Sequence, residues 1–228
     1  MRRTKVVGVI IARMSSKRFP NKIISEINGQ STIELIANRV RQVSFTELPL
    51  VLATTDGVRD DLLETYAYSL GLSVFRGPES DVLARVITAG TNMSATHILR
   101  LNGDCPLVEP TLIEAGLKLL YQKKHSLVSS KSILGLPYGV SVEIVDIDLL
   151  QKLWPQTNKI QREHIFNSVY EHLSIESVSV AGGGFPLRPD LRLTVDIPGD
   201  NQRIGNLIEL NGSDPTLVKY WDLPFVPP

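Results

Sequence analysis

Six consecutive apolar residues, Val6 to Ile11 (VVGVII), run without a polar break into ARMSSKRFPNK, Ala12 to Lys22. A run that is apolar at every position and rich in Val and Ile has no face to give to water. It fits a central strand of a parallel sheet covered by helices on both sides. Ala12 to Lys22 is then a loop at the carboxyl edge of that sheet, where α/β proteins hold their ligands. The loop collects Arg13, Lys17, Arg18 and Lys22 among Ser15, Ser16, Pro20 and Asn21, and no acidic residue comes before Glu26. Backbone N–H groups, hydroxyls and guanidinium forks gathered this way make an anion site, with phosphate the first ligand to consider. Neither GxxxxGKS/T nor GxGxxG occurs here, so the grip differs from that of a P-loop or a dinucleotide fold.

The chain then alternates strands and helices. Ser31-Thr32-Ile33-Glu34 reads as a capping box, and Ile33, Ile36, Ala37, Val40 and Val43 recur at helical spacing, which predicts a helix over 32–43. A strand is predicted over 50–54, and Asp60 stands where it would cap a helix carrying Leu62, Leu63, Tyr66, Ala67 and Leu70, with Gly71 as a left-handed stop. Further strands are predicted at 74–75, 98–101 and 127–130, with helices over 81–89 and from Pro110 onward. After that the alternation loosens. Strands are predicted at 138–145, 175–180 and 191–195, helices at 147–154, 160–173 and 200–210, and Gly182 to Gly184 reads as a loop. The expected architecture is a three-layer α/β/α sandwich with a mostly parallel, mixed sheet. A β-rich extension around 131–190 would cover a substrate or a partner subunit. No repeat, low-complexity tract or linker divides 1–228, so a single domain is expected.

Composition narrows the partners. Lys plus Arg (24) equals Asp plus Glu (24), which argues against a nucleic-acid or anionic-membrane surface and makes the basic opening a local device. One cysteine, Cys105, excludes an internal disulfide, so a cytoplasmic location is expected. The N-terminus imitates a signal peptide, but Arg13 interrupts its short apolar run and no small-residue cleavage site comes after it. No stretch approaches the ~20 apolar residues of a membrane span.

Two further strand ends carry acids. Asn102-Gly103-Asp104-Cys105-Pro106 closes one strand, and Leu193-Thr194-Val195-Asp196-Ile197-Pro198 closes another. Asp104 and Asp196 could therefore be two carboxylates flanking one Mg²⁺, facing the cations of the opening loop. Cys105 has no base at a diagnostic local spacing and reads as a small packed residue. His97, His125, His164 and His172 are scattered without paired spacing, so zinc is not expected. Arg162-Glu163-His164 could face substrate from a helix or could simply be a solvated face.

With these pieces placed, the sequence resembles the cytidylyltransferases that activate acidic sugars, including the 3-deoxy-manno-octulosonate and acylneuraminate enzymes, and in particular the branch of the spore-coat polysaccharide biosynthesis protein SpsF. The resemblance is carried by IIARMSSKRFPNK, LATTD (52–56), VFRGPESDVLARV (74–86), ILRLNGDCPLVEP (98–110), YGVSVEI (138–144), REH (162–164) and RLTVDIPGD (192–200). It implies a nucleotide-diphospho-sugar-transferase-like fold and a homodimer. It also implies transfer of CMP from CTP to an acidic sugar with Mg²⁺, for surface polysaccharide or glycan synthesis. Residues matching Arg13, Ser16, Arg18 and Lys22 would grip the triphosphate, Ala12 would stand with them among the nucleotide-binding residues, and those matching Asp104 and Asp196 would hold the metal. Arg13, Arg18, Lys22 and Asp104 would carry catalysis. Arg76 and Arg100 are candidates for nucleotide contacts, and Arg162, His164 and Ser141 for the sugar. Asn21 stands where the family often has Gly, Ile11 where it often has Gln or Pro, and Ser141 where an acid is common. Two other readings fit the same pieces: a glycosyltransferase of related fold using a nucleotide-sugar donor, and a nucleotide-binding homologue without catalysis.

Overall fold

The computed structural model describes residues 3–122, 125–131, 133–163, 165–172, 178–180 and 184–225. In chain order these form β1 (Val6–Ile11), β2 (Glu26–Ile27), β3 (Gln30–Ser31), α1 (Thr32–Val40), β4 (Leu50–Thr55), α2 (Asp61–Ser69), β5 (Ser73–Gly77), α3 (Val82–Asn92), β6 (His97–Asn102) and α4 (Pro110–Gln122). Then come β7 (Leu127–Ser129), β8 (Glu143–Asp146), α5 (Ile147–Leu153), α6 (Lys159–Glu163), α7 (Ile165–His172), β9 (Val178–Val180) and α8 (Gly199–Asn211). The main sheet has the order β5-β4-β1-β6-β8-β7-β9. Neighbours run parallel except where β8 lies antiparallel between β6 and β7.

The all-apolar first strand sits inside the sheet, and the period-2 direction of its side chains divides the core. Val6 and Ile10 pack with Leu52, Leu99 and Leu101 under α1, α2 and α4, whereas Val7 and Val9 pack with Val51, Ala53 and Ile98 under α3 and α5. Two helical layers around one sheet result. A third cluster joins Ile27, Leu35, Leu191, Leu193 and Val195 to α8 and to Val218, Tyr220 and Leu223 of the tail.

Several local signals act as the sequence implies. Ser31 Oγ accepts the Glu34 N–H at 3.2 Å, Asp81 caps α3 through Ala84 N–H at 2.9 Å, and Gly71 turns left-handed at φ 71°. The expected strands at 138–145 and 191–195 are corrected. Only Glu143–Asp146 joins the sheet from the first, and 191–195 contributes an isolated bridge, Arg192 to Tyr138. The alternating apolar residues of 191–195 face α8 rather than a helix layer, so the segment crosses the carboxyl edge instead of extending the sheet. Between β8 and β9 the described regular elements are helices, α5, α6 and α7 among them. The hairpin β2–β3 was not expected. Its turn is Asn28-Gly29 with φ 50° and 79°, the left-handed pair that an Asn-Gly hairpin requires.

Candidate active site

The register sets the site. Ile11, the last residue of β1, lies opposite Asn102, the last of β6, so the loops beginning at Ala12 and Gly103 leave the sheet side by side. Gly103 N–H donates to Ile11 O at 3.0 Å. A Cβ on Gly103 would stand 2.7 Å from Ala12 Cβ and 2.9 Å from Ile11 O, so only glycine allows this approach.

The basic loop is fastened from below. Met14 N–H donates to Asp60 Oδ1 at 2.8 Å, while Oδ2 accepts from Thr54 Oγ1 (2.8 Å), Thr55 N–H (3.0 Å) and Thr55 Oγ1 (2.5 Å). Asp60 therefore does not cap α2 as expected; its carboxylate is fully buried and holds the loop to the end of β4. Burial alone would raise its pKa, but the hydrogen bonds from Thr55, Met14 and Thr54 outweigh that and hold it below the usual carboxylate value. Ser16 and Asn21 both donate backbone N–H to Met14 O, at 2.9 and 3.0 Å, closing the loop on itself. Asn21 takes the left-handed conformation, φ 61° and ψ 16°, which Asn tolerates in place of Gly.

That closure points Lys22 at the two acids. Its ammonium donates to Asp104 Oδ2 at 3.1 Å and Val195 O at 2.9 Å, and lies 3.8 Å from Asp196 Oδ1. Val195 N–H in turn donates to Asp104 O at 2.8 Å, so the two acid-bearing segments are tied backbone to backbone. Asp196 also accepts from Arg18 at 2.7 Å, Arg192 at 2.6 Å and Thr194 Oγ1 at 3.1 Å. Burial would raise its pKa, but Arg192, Lys22, Thr194 and Arg18 together lower it. Asp104 is more open, its side chain 33% exposed.

Around these groups opens a cavity of about 930 Å³. It is lined by Ala12, Arg13, Ser16, Arg18, Lys22, Asp104 and Asp196, and on the β8 side by Arg100, Ser141 and Glu143. Arg100 is steered by Asn102 Oδ1 at 3.0 Å and Glu143 Oε2 at 2.5 Å, and Glu143 Oε1 accepts from Tyr170 of α7 at 2.9 Å. Cations, hydroxyls and two carboxylates thus meet at the carboxyl edge of a parallel sheet, an arrangement suited to holding a polyanion and offsetting charge that develops on it.

Comparison with known proteins identifies the family. The model of the cytidylyltransferase family matches residues 7–203. The chain belongs to the cytidylyltransferase family. It is 30% identical over 220 residues to the spore coat polysaccharide biosynthesis protein SpsF of Bacillus subtilis, covering 92% of this chain and 89% of that one. The structure of a cytidylyltransferase from Leptospira borgpetersenii matches with TM-score 0.81 and 30% identity, over 91% of this chain and 88% of that one. A CMP:2-keto-3-deoxy-manno-octonic acid synthetase complexed with CTP matches with TM-score 0.67 over 91% and 99% of the two chains, and at 17% identity that likeness is one of fold. The cytidylyltransferase is a nucleotidyltransferase enzyme with an α/β fold.

Not every residue expected at the site reaches the cavity. Arg76, on the edge strand β5, is taken up by Asp61 and Glu64 at 2.7 Å each, which raise its pKa, and by the carbonyls of Thr55 and Gly57, and it does not line the cavity. Arg162 binds Asp81 Oδ2 at 3.2 Å beside Trp154, fixing α6 to the start of α3; its neighbour Glu163 lines the cavity instead. His164 lies outside the described residues. Cys105 is buried, donates to Asp104 Oδ1 at 3.4 Å, and has its thiol pushed well up, first by burial and then by Asp104, so it is a packed residue and no nucleophile. Arg192 and Glu143, which line the cavity, were missed, and Asp60 was read only as a cap. The spacing of Arg192 four residues before Asp196 was the available signal for the first.

The loop anchors carry two expected results. Gly103→Ala should fold but transfer nucleotide roughly 10-fold more slowly or worse, because the loops after β1 and β6 must part by tenths of an ångström; steady-state kinetics of the purified variant checks this. Asp60→Asn should cost roughly 1–3 kcal/mol at neutral pH, since a buried acceptor is replaced by a group that is partly a donor. Because the folded pKa of Asp60 is depressed below 3.8, its contribution is present above that value and lost as pH falls through the folded pKa. Thermal unfolding against pH should therefore show a shallower acid decline for Asp60→Asn than for the parent protein.

Proposed function

We propose that this cytidylyltransferase transfers CMP from CTP to the anomeric hydroxyl of an acidic sugar. The hydroxyl oxygen bonds to the α-phosphorus in line, the bond to the bridging oxygen of the β-phosphate breaks, pyrophosphate leaves, and the hydroxyl proton passes to water. The observation that carries the reading is Lys22 held between Asp104 and Asp196, with Arg18 on the same carboxylate. These cations are placed to stabilise a leaving pyrophosphate, and the acids to share a metal.

The donor set fits Mg²⁺. Asp104 and Asp196 offer hard carboxylate oxygens that converge on one ammonium. With two carboxylates in place, the further positions would fall to phosphate oxygens and water, the coordination Mg²⁺ prefers. Bound there, Mg²⁺ would neutralise charge on the phosphate oxygens. The protein groups do the rest: Arg13, Ser16 and Arg18 grip the triphosphate, Ala12 and Arg100 border the nucleotide, and Ser141 faces the acceptor. One cytoplasmic domain, a homodimer in which the 131–190 extension covers the substrate or the partner subunit, completes the reading; among the described residues of that region Leu134 and Leu187 are exposed.

The test is to incubate the purified protein and Mg²⁺ with each of the four nucleoside triphosphates and a panel of acidic sugars. Pyrophosphate release with CTP and one sugar supports the reading. Consumption of a nucleotide-sugar donor would instead make it a glycosyltransferase, and binding without turnover a non-catalytic homologue.

A further inference from the structure

Two guanidinium groups are almost completely buried, and they are treated differently. Arg39, 1% exposed, has Glu109 at 3.6 Å as counter-charge. Arg85, 2% exposed and set in the cavity wall by α3, has no carboxylate within ion-pair distance among the described residues. Its Nη1 donates to two backbone carbonyls, Pro78 O at 2.7 Å and Glu79 O at 3.1 Å, and its Nε is buried with no hydrogen-bond partner among those residues. A buried charge without a counter-charge is costly, and a structure tolerates one where a ligand supplies what is missing.

The surroundings indicate which ligand. The turn between β5 and α3 that supplies those carbonyls also carries the Glu79 carboxylate, which accepts from Arg13 at 2.7 Å and from Ser15 Oγ at 3.1 Å. One turn therefore brings two guanidinium groups to one wall of the cavity. Burial first and the nearby Arg13 second depress the Arg85 pKa, while Asp60, Glu79 and Asp81 pull it the other way from beyond ion-pair distance. A nucleobase edge would offer acceptors but no charge. A phosphate chain offers both, and the Glu79 carboxylate already occupies an anion's position beside Arg13.

We propose that Arg85, together with Arg13, binds phosphate oxygens of the substrate triphosphate, and that Glu79 is the anion this wall holds until the triphosphate displaces it. The nucleotide identity rests on the CTP reading above; the phosphate subsite does not. Inorganic tripolyphosphate is the probe, since it needs neither base, sugar nor turnover, and its affinity is read from the upward shift in thermal unfolding of the full chain. Arg85→Met should weaken tripolyphosphate binding roughly 10-fold, the scale of one charge-assisted hydrogen bond, with Arg85→Lys intermediate. Glu79→Gln, on the exposed turn, should tighten it several-fold. If Arg85→Met does not fold, Arg85→Lys measured the same way decides the question. Parent-like tripolyphosphate affinity in the Arg85 variants overturns the proposal, as does loss of CTP-over-UTP preference with tripolyphosphate binding intact, which would make Arg85 a base contact. Unchanged affinity in Glu79→Gln removes the role of Glu79. Tripolyphosphate binding that depends on Arg85, with no pyrophosphate released from CTP and any sugar, would leave the subsite standing and the transfer reaction wrong.

Discussion

Asp104→Asn should fold normally and lose turnover by roughly 10²-fold or more, about 2.7 kcal/mol of transition-state stabilisation. Asn keeps the shape of the side chain but removes the charge that would share a metal with Asp196 and that orients Lys22 at 3.1 Å. Lys22 would then keep Val195 O and a distant Asp196 as partners, and drift from the line of the leaving group. Asp104 is the better test of the two acids. Asp196 also holds Arg18, Arg192 and Thr194, so its replacement would disturb the loop itself and confound chemistry with folding. Pyrophosphate release at saturating CTP, beside thermal unfolding of the same preparation, separates the two effects. Near-normal turnover in Asp104→Asn would sink the assignment of this end of the cavity.

What could be read beforehand was what local chemistry encodes. A strand apolar at every position, a capping serine three residues before a glutamate, and a glycine after the last helical turn each state their role within a few residues. The basic loop and Asp104 were equally legible, because the ends of neighbouring parallel strands converge whatever lies between them; Asp196 reaches the same place by another route, a segment outside the sheet tied to Asp104 through Val195 N–H. Non-local partners were not legible. Arg76 looks like any cation in a loop-rich motif until β5 proves to be an edge strand with Asp61 and Glu64 beside it. Asp60 has the residue type of a cap, and nothing in its neighbourhood says that Met14, 46 positions away, needs an acceptor more. The strand at 191–195 was misread for the same reason: its alternation is real, but the layer it faces is α8 and the tail. The Asn28-Gly29 hairpin is the contrary case, a local signal that was present and passed over.

The tail from Asn211 onward gave no reading from sequence, and the reason leads to the other large expected effect. Arg39 sits in the last turn of α1 at a position that looks like a solvated charge, yet its Nε donates to Val108 O at 2.7 Å and its Nη1 to Pro215 O and Thr216 O at 3.0 and 3.2 Å. Lys219 reaches the same buried Glu109 at 3.1 Å, so the tail is fastened to α1 and to the start of α4 through one ionic cluster. Burial pushes the Arg39 pKa down to about 10 and Glu109 pulls it back, which leaves the group charged at neutral pH. Arg39→Met should therefore leave buried Glu109 with only Lys219 and Thr111 as partners and deprive the carbonyls of Val108 and Pro215 of their Arg39 donor, while Thr216 O keeps Gln42, a loss of about 3–5 kcal/mol. For a chain of this length that is a fall in Tm on the order of 10 °C, read by thermal unfolding. Adding Glu109→Leu to Arg39→Met should restore part of it, because an apolar pair replaces a stranded charge, though the carbonyls of Val108 and Pro215 stay without their Arg39 donor. A single variant that loses less than about 1 kcal/mol would mean that the tail is held by Tyr220, Leu223 and their apolar neighbours alone, and that the ionic cluster contributes little to the fold.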